Sequence, residues 1–383
     1  MLFRSNDEPV VPTSFPLTDV LPAPGAAEHA AALLARASSP LILVGDGVNL
    51  SGAVPELVAL AELWGADVLG VDSSEVNIPA SHSLSRGQTG HMFGHSSQAL
   101  VSGADAVLIV GTYLFPEVFP SLSSPFQPGA PIVHASLDPQ EIAKNFPVDL
   151  GMVADPKHAL AAIRGELAAR LTPQQAQAAR QRLAARQAEQ ERPEDEEDDS
   201  VLDSFCRELR RRTRPDDLIV FDEALTASPT VTRHLPADVP GGYFVTRGGS
   251  LGVGIPGAVG IKLAHPGRTV VGFTGDGGAM YTYQALWTAA RYGIAAKVVI
   301  CNNGRYRLLD ENIRQYWTEQ EIRPHSFPSM FDLSCPDISF TGLARALGAD
   351  GMRLDKPELA EAAVTAMLAS PGPYVIDLIT THD

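Results

Sequence analysis

Val270-Val271-Gly272-Phe273-Thr274-Gly275-Asp276-Gly277-Gly278-Ala279-Met280 is an apolar run that ends in a Gly-Asp-Gly turn. Residues 281–292 follow with helical character and stop at Gly293, and a second apolar run, Lys297-Val298-Val299-Ile300-Cys301, exits into Asn302-Asn303. The pattern reads as strand, glycine turn, helix, strand. A right-handed crossover lays its two strands parallel, with both carboxyl ends on one edge of the sheet. Asp276 and Asn303, 27 positions apart, are therefore expected to reach one common spot.

The same alternation extends in both directions. Downstream it ends with Tyr374-Val375-Ile376-Asp377-Leu378, and upstream it includes Leu218-Ile219-Val220-Phe221. Earlier still come Pro40-Leu41-Ile42-Leu43-Val44, residues 66–71, Ala106-Val107-Leu108-Ile109-Val110-Gly111 and Ala130-Pro131-Ile132-Val133-His134, with helical stretches at 26–37 and 54–65. Fully apolar strands separated by helices require a parallel sheet covered on both faces. The predicted fold class is α/β, with two doubly wound parallel-sheet domains. Residues 1–25 read as a proline-rich lead-in, 26–166 as the first domain, 167–200 as a helix running into an acidic linker, and 201–383 as the second domain. A chain of 383 residues exceeds what one core usually holds.

Composition narrows the classes of function. A formal charge of −16 argues against non-specific nucleic-acid binding, which draws on clustered Lys and Arg. No run approaches the ~20 apolar residues of a membrane span. The first residues, Met1-Leu2-Phe3-Arg4-Ser5-Asn6-Asp7-Glu8, do not resemble a secretory signal, and three scattered cysteines make no disulfide framework. A cytoplasmic location is expected.

Residue types at the Asp276/Asn303 edge suggest what it holds. Magnesium prefers oxygen ligands in an octahedron, taking one or two from protein and completing the shell with phosphate and water. Gly275, Gly277 and Gly278 remove side chains, so main-chain N–H groups at the start of the next helix can approach an anion. A Mg²⁺-bridged diphosphate suits the site. Gly45-Asp46-Gly47 repeats the tripeptide without the Asn-Asn partner and reads as a structural turn. Its surroundings lack the G-x-G-x-x-G spacing of nicotinamide-dependent dehydrogenases.

Gly-Asp-Gly followed at this distance by Asn-Asn resembles the signature of thiamine diphosphate-dependent enzymes. The resemblance implies that Asp276 and Asn303 are side-chain ligands of Mg²⁺ and that Arg305 supplies a main-chain oxygen. Thr246-Arg247-Gly248-Gly249-Ser250-Leu251-Gly252-Val253-Gly254-Ile255-Pro256-Gly257-Ala258 is similar to the family's segment beneath the thiazolium ring. By that likeness Leu251 bends the cofactor and the Gly249 carbonyl accepts from its aminopyrimidine. Thr226, after the strand ending at Phe221, matches a second diphosphate-holding loop, although an N-cap would also explain Thr226 or Ser228. The stretch from Tyr243 to Asn303 most resembles the benzoylformate decarboxylase branch, with acetolactate synthase a near neighbour. A small 2-oxo acid is the implied substrate, and a homo- or hetero-oligomer the implied assembly.

The resemblance also has gaps. Family members carry a pyrimidine-binding domain whose glutamate protonates the ring and promotes loss of the thiazolium proton. No glutamate here matches it, so a separate pyrimidine-binding subunit is expected. The loop Thr112-Tyr113-Leu114-Phe115-Pro116-Glu117-Val118-Phe119-Pro120 lacks the histidine found there in benzoylformate decarboxylase. His82, His91 and His95 read as polar loop residues. Two functions stay open: the cofactor-binding portion of a 2-oxo acid decarboxylase or carboligase, or a catalytically inactive binding module.

Overall fold

A computed structural model describes residues 18–71, 73–89, 94–114, 124–190 and 200–380, and for residues 94–96 the backbone alone. Residues 1–17 of the lead-in, His91, most of the 112–120 loop and the acidic run at 193–199 lie outside them.

The described chain forms two six-stranded sheets, each parallel throughout. The first is built from β1 (Pro40–Val44), β2 (Asp67–Gly70), β3 (Ser85–Gln88), β4 (Ala106–Val110), β5 (Ile132–Ser136) and β6 (Leu150–Val153), in the order β3-β2-β1-β4-β5-β6. The second contains β7 (Leu218–Glu223), β8 (Tyr243–Val245), β9 (Thr269–Gly275), β10 (Lys297–Asn302), β11 (Asp350–Leu354) and β12 (Tyr374–Ile379), in the order β11-β12-β10-β9-β7-β8. Helices cover both faces. Central strands β1 and β4 are buried along their whole length, which is why they read as unbroken apolar runs, and β10, equally buried, is apolar between Lys297 and Asn302.

The strand order reverses between β1 and β4 in the first sheet, and in the second between β7 and β9 and again where β12 returns between β11 and β10. Open α/β sheets bind ligands in the crevice outside such a reversal. In the first sheet the turn at 45–47 packs tightly against Gly111 and Thr112 at this point. A Cβ on Gly47 would lie 2.7 Å from the Gly111 Cα, and one on Gly45 would lie 2.5 Å from the Thr112 Cβ. The second sheet leaves its crevice open.

The helix Pro173–Gln190 lies against the first sheet's helix Val54–Trp64. Arg182 donates to the carbonyls of Trp64 and Gly65, and Arg186 forms a two-pronged pair with Asp67.

The loop after β2 docks on the second sheet. Val76 is buried in that sheet's core, and the Ser74 carbonyl accepts from the Val245 amide of edge strand β8 at 3.1 Å. Asp46 and Arg247 pair across the same junction at 3.4 Å with the arginine 43% exposed. Burying a valine is worth ~1.5 kcal/mol or more. A solvent-exposed ion pair rarely exceeds ~1 kcal/mol, so the apolar plug dominates the join.

Candidate active site

The open crevice is a cleft of 720 Å³, within the range of small-molecule sites. Gly275, Asp276, Gly277 and Gly278 line it from the end of β9, Asn303 and Arg305 from the end of β10, Thr226 from the loop after β7, and Leu251 from the glycine-rich segment. The sequence-predicted residues are thus brought together, except that Gly249 does not line the cleft. It sits two positions before Leu251 with φ 67, a conformation glycine adopts without strain.

Local geometry sorts the two asparagines. Successive residues at a strand end face opposite ways. Asn302 turns inward, donating to Asp377 at 2.9 Å and accepting from the Gly304 amide at 3.1 Å. Asn303 lines the cleft, and its Oδ1 accepts from the Arg305 amide at 2.9 Å, which orients the side chain. The Arg305 guanidinium is committed to Asp310, through Nε at 2.9 Å and Nη2 at 2.8 Å.

The two Gly-Asp-Gly turns differ in what their carboxylates do. Asp46 accepts from the Ser74 amide at 2.8 Å, the Ser74 hydroxyl at 2.6 Å and the Glu75 amide at 3.0 Å, so the loop after β2 satisfies both its oxygens. Asp276 is 3% exposed. Its Oδ1 accepts from the Gly277 amide at 2.9 Å, but its buried Oδ2 has no hydrogen-bond partner. Burial pushes the carboxyl up to about 6, against the opposing effect of nearby amides, Gly277 first. A buried acceptor left without a donor calls for an explanation, and a bound cation supplies one. Among the described residues no three His, Cys, Asp or Glu side chains cluster as a metal site. The side chains that Asp276 and Asn303 bring to the cleft are instead one carboxylate and one amide, oxygen donors of the kind a hard cation takes alongside phosphate.

The glycines have separate reasons. A Cβ on Gly277 would come 2.4 Å from the Tyr306 ring, whereas one on Gly275 would meet nothing within 4 Å. On the opposite wall, Leu225 has φ 52, a conformation that costs a branched residue energy and is over-represented in functional loops. Capping does not account for Thr226 or Ser228. The cap of the helix Ser228–His234 is Ala227, with no side-chain bond, and the Ser228 hydroxyl donates to Asp222 at 2.8 Å.

Sequence reading passed over Glu223, the last residue of β7. It is 1% exposed, and its carboxylate accepts from the amides of both Gly252 and Gly254. A charged residue closing an apolar strand was the available signal. Tyr281, Tyr306, Met330 and Phe331, which also line the cleft, carry no motif. His82 approaches Glu62 at 3.3 Å, away from the cleft.

Comparison with known proteins agrees with this geometry. Residues 27–163 match the thiamine pyrophosphate enzyme central domain, and residues 226–378 match the C-terminal TPP binding domain of the same enzymes. The chain is 29% identical over 365 residues to benzoylformate decarboxylase of Pseudomonas aeruginosa, covering 94% of this chain and 64% of the relative. It is 28% identical over 364 residues to acetolactate synthase of Mycobacterium bovis, covering 93% of this chain and 57% of the relative. The chain thus spans less than two thirds of either relative's length. A solved structure, the thiamine diphosphate-dependent 4-hydroxybenzoylformate decarboxylase of Rhodococcus jostii, superposes with a TM-score of 0.76 at 25% identity, covering 97% of this chain and 66% of that one. With both domains matched in order on two parallel sheets, and the open crevice formed by the second match, the chain belongs to the thiamine pyrophosphate enzyme family.

Proposed function

We propose that this chain binds the Mg²⁺-complexed diphosphate of thiamine diphosphate in the cleft between β7 and β9. It would serve as the cofactor-binding portion of a 2-oxo acid decarboxylase or carboligase. The observation that carries the reading is the bare, buried Oδ2 of Asp276 in a cleft also lined by Asn303 and the Gly275 turn. In this reading Asp276, Asn303 and the Arg305 carbonyl hold the metal, while Gly275, Gly277, Gly278 and Thr226 receive the diphosphate. Leu251 lies under the thiazolium ring and the Gly249 carbonyl meets the aminopyrimidine. The bound cofactor supplies a carbon nucleophile for 2-oxo acids. This chain's own part is to hold and orient it.

Activation of the ring would fall to a glutamate on a pyrimidine-binding domain supplied by a separate subunit. We divide the chain at 26–166 and 201–383, with 167–200 as the connection. No helix among the described residues is long and apolar enough to cross a membrane. Free cysteines, Cys206 and Cys301 buried and Cys335 exposed, suit the reducing cytoplasm to which we assign the protein.

Calorimetry tests the binding step. Thiamine diphosphate with Mg²⁺ should bind the native chain and lose most of its affinity to Asp276→Ala. Equal affinity for both proteins would overturn the proposal. Decarboxylation of a 2-oxo acid by the purified chain alone would overturn the need for a further domain.

A further inference from the structure

Glu223 is a charge placed where burial is costly, at the end of β7 beneath the glycine-rich segment. An isolated buried carboxylate is strongly unfavourable unless hydrogen bonds satisfy it. Here both oxygens are used: one accepts from the Gly252 amide and the other from the Gly254 amide. The Thr274 hydroxyl, which donates to the Gly275 carbonyl at a long 3.3 Å, lies beside the same carboxylate and favours its charged form. Surrounding groups leave no slack. A Cβ on Gly254 would lie 2.7 Å from one carboxylate oxygen, and a Cβ on Gly278 would lie 3.1 Å from the other. Glu223 therefore ties the two amides on either side of Val253, next to Leu251, to the Thr274–Gly278 turn. The segment is fastened again where the Thr282 hydroxyl donates to the Gly252 carbonyl at 2.5 Å.

Taking the cleft as a thiamine diphosphate site, we propose that Glu223 is a positioning residue for the thiazolium half of the cofactor. By holding the Gly252 and Gly254 amides it fixes Leu251, while the diphosphate half is held separately by residues 275–278 and 303. Leu251 is 41% exposed, so core packing does not hold its side chain in place and the backbone beside it must. Glutamine cannot substitute: it has one acceptor and an N–H₂ group that would face an amide donor.

The test is isothermal calorimetry on the full chain with two probes, Mg²⁺-pyrophosphate and Mg²⁺-thiamine diphosphate. Melting curves confirm that each variant is folded at the titration temperature. Native protein should bind thiamine diphosphate more tightly than pyrophosphate. Glu223→Gln should weaken thiamine diphosphate by roughly tenfold or more, the effect of losing one charge-assisted bond, and leave pyrophosphate within about threefold. If Glu223→Gln does not fold, Thr274→Val carries the same split with a smaller shift of about threefold. A parallel loss of both ligands, an unchanged thiamine diphosphate affinity, or a native protein that does not distinguish the probes would overturn the inference. Native protein that binds neither probe would instead overturn the cofactor reading beneath it.

Discussion

Replacing Asp276 with asparagine should make the ligand-free protein more stable at neutral pH while destroying its response to Mg²⁺ and thiamine diphosphate. The sign follows from the carboxyl, pushed by burial from 3.8 up to about 6. Between those values the folded state keeps a proton that the unfolded chain has released. The stabilising effect of that proton is present below pH 3.8 and is lost as pH rises to 6. Two pH units correspond to about 3 kcal/mol. Asparagine removes the charge and can still accept from the Gly277 amide, but its N–H₂ takes the place of an oxygen that has no partner, at a cost of ~1–3 kcal/mol. The absolute gain at pH 8 is therefore about 1 kcal/mol. The sharper expectation is the trend: the variant-minus-native difference should grow by up to about 3 kcal/mol from pH 4 to pH 6 and then level off. Other buried carboxyls, such as Glu223 and Asp222, shift in the same direction, but they titrate in both proteins and cancel in the difference. Denaturant titrations across pH 4–8 measure it. A difference independent of pH, or an Asp276→Asn variant whose melting temperature still rises with Mg²⁺-thiamine diphosphate, would refute the reasoning.

Three further outcomes follow from the same geometry. Mg²⁺-dependent affinity for thiamine diphosphate should be flat above pH 6 and fall by about tenfold per unit below it, because the metal takes only the ionised carboxylate; calorimetry at pH 5, 6 and 7.5 checks this. Asp46→Asn should cost ~1–3 kcal/mol in a denaturant melt by disturbing the bonds to residues 73–75, yet leave thiamine diphosphate affinity within about twofold. Gly277→Ala should cost ~1–3 kcal/mol and weaken cofactor binding because its Cβ meets Tyr306, whereas Gly275→Ala, with open space ahead of it, should leave stability within ~0.5 kcal/mol.

The strands legible in the sequence are the inner ones. β1, β4, β9, β10 and β12 lie between two neighbours and under helices on both faces, so most of their positions are apolar and the run stands out. The four strands that sequence reading omitted, β3, β6, β8 and β11, are the four sheet edges. Their mixed burial leaves polar residues in place, as in Ser85-Arg86-Gly87-Gln88, and no period emerges over four residues. One helix expected over residues 281–292 is two, Asp276–Thr282 and Ala285–Arg291, and Gly293 ends the second with φ 65.

At the cleft, Asp276, Asn303 and the glycines were readable because a strand end must expose them, and their spacing survives any detail of packing. Glu223 and Val76 were not. Their roles depend on which distant backbone they meet, and neither an amide pair 29 and 31 residues away nor a foreign sheet edge leaves a mark on local sequence. The repeated Gly-Asp-Gly makes the same point. Only the hydrogen bonds around each carboxylate separate the turn satisfied by a neighbouring loop from the one with an oxygen to spare.

The most direct test is crystallographic. Crystals grown with thiamine diphosphate and Mn²⁺ in place of Mg²⁺ should give one strong anomalous peak bonded to the Asp276 Oδ2, with Asn303 Oδ1 and the Arg305 carbonyl in the same shell at about 2.0–2.3 Å. A peak elsewhere, or cofactor density in the cleft with no metal on Asp276, would contradict the account.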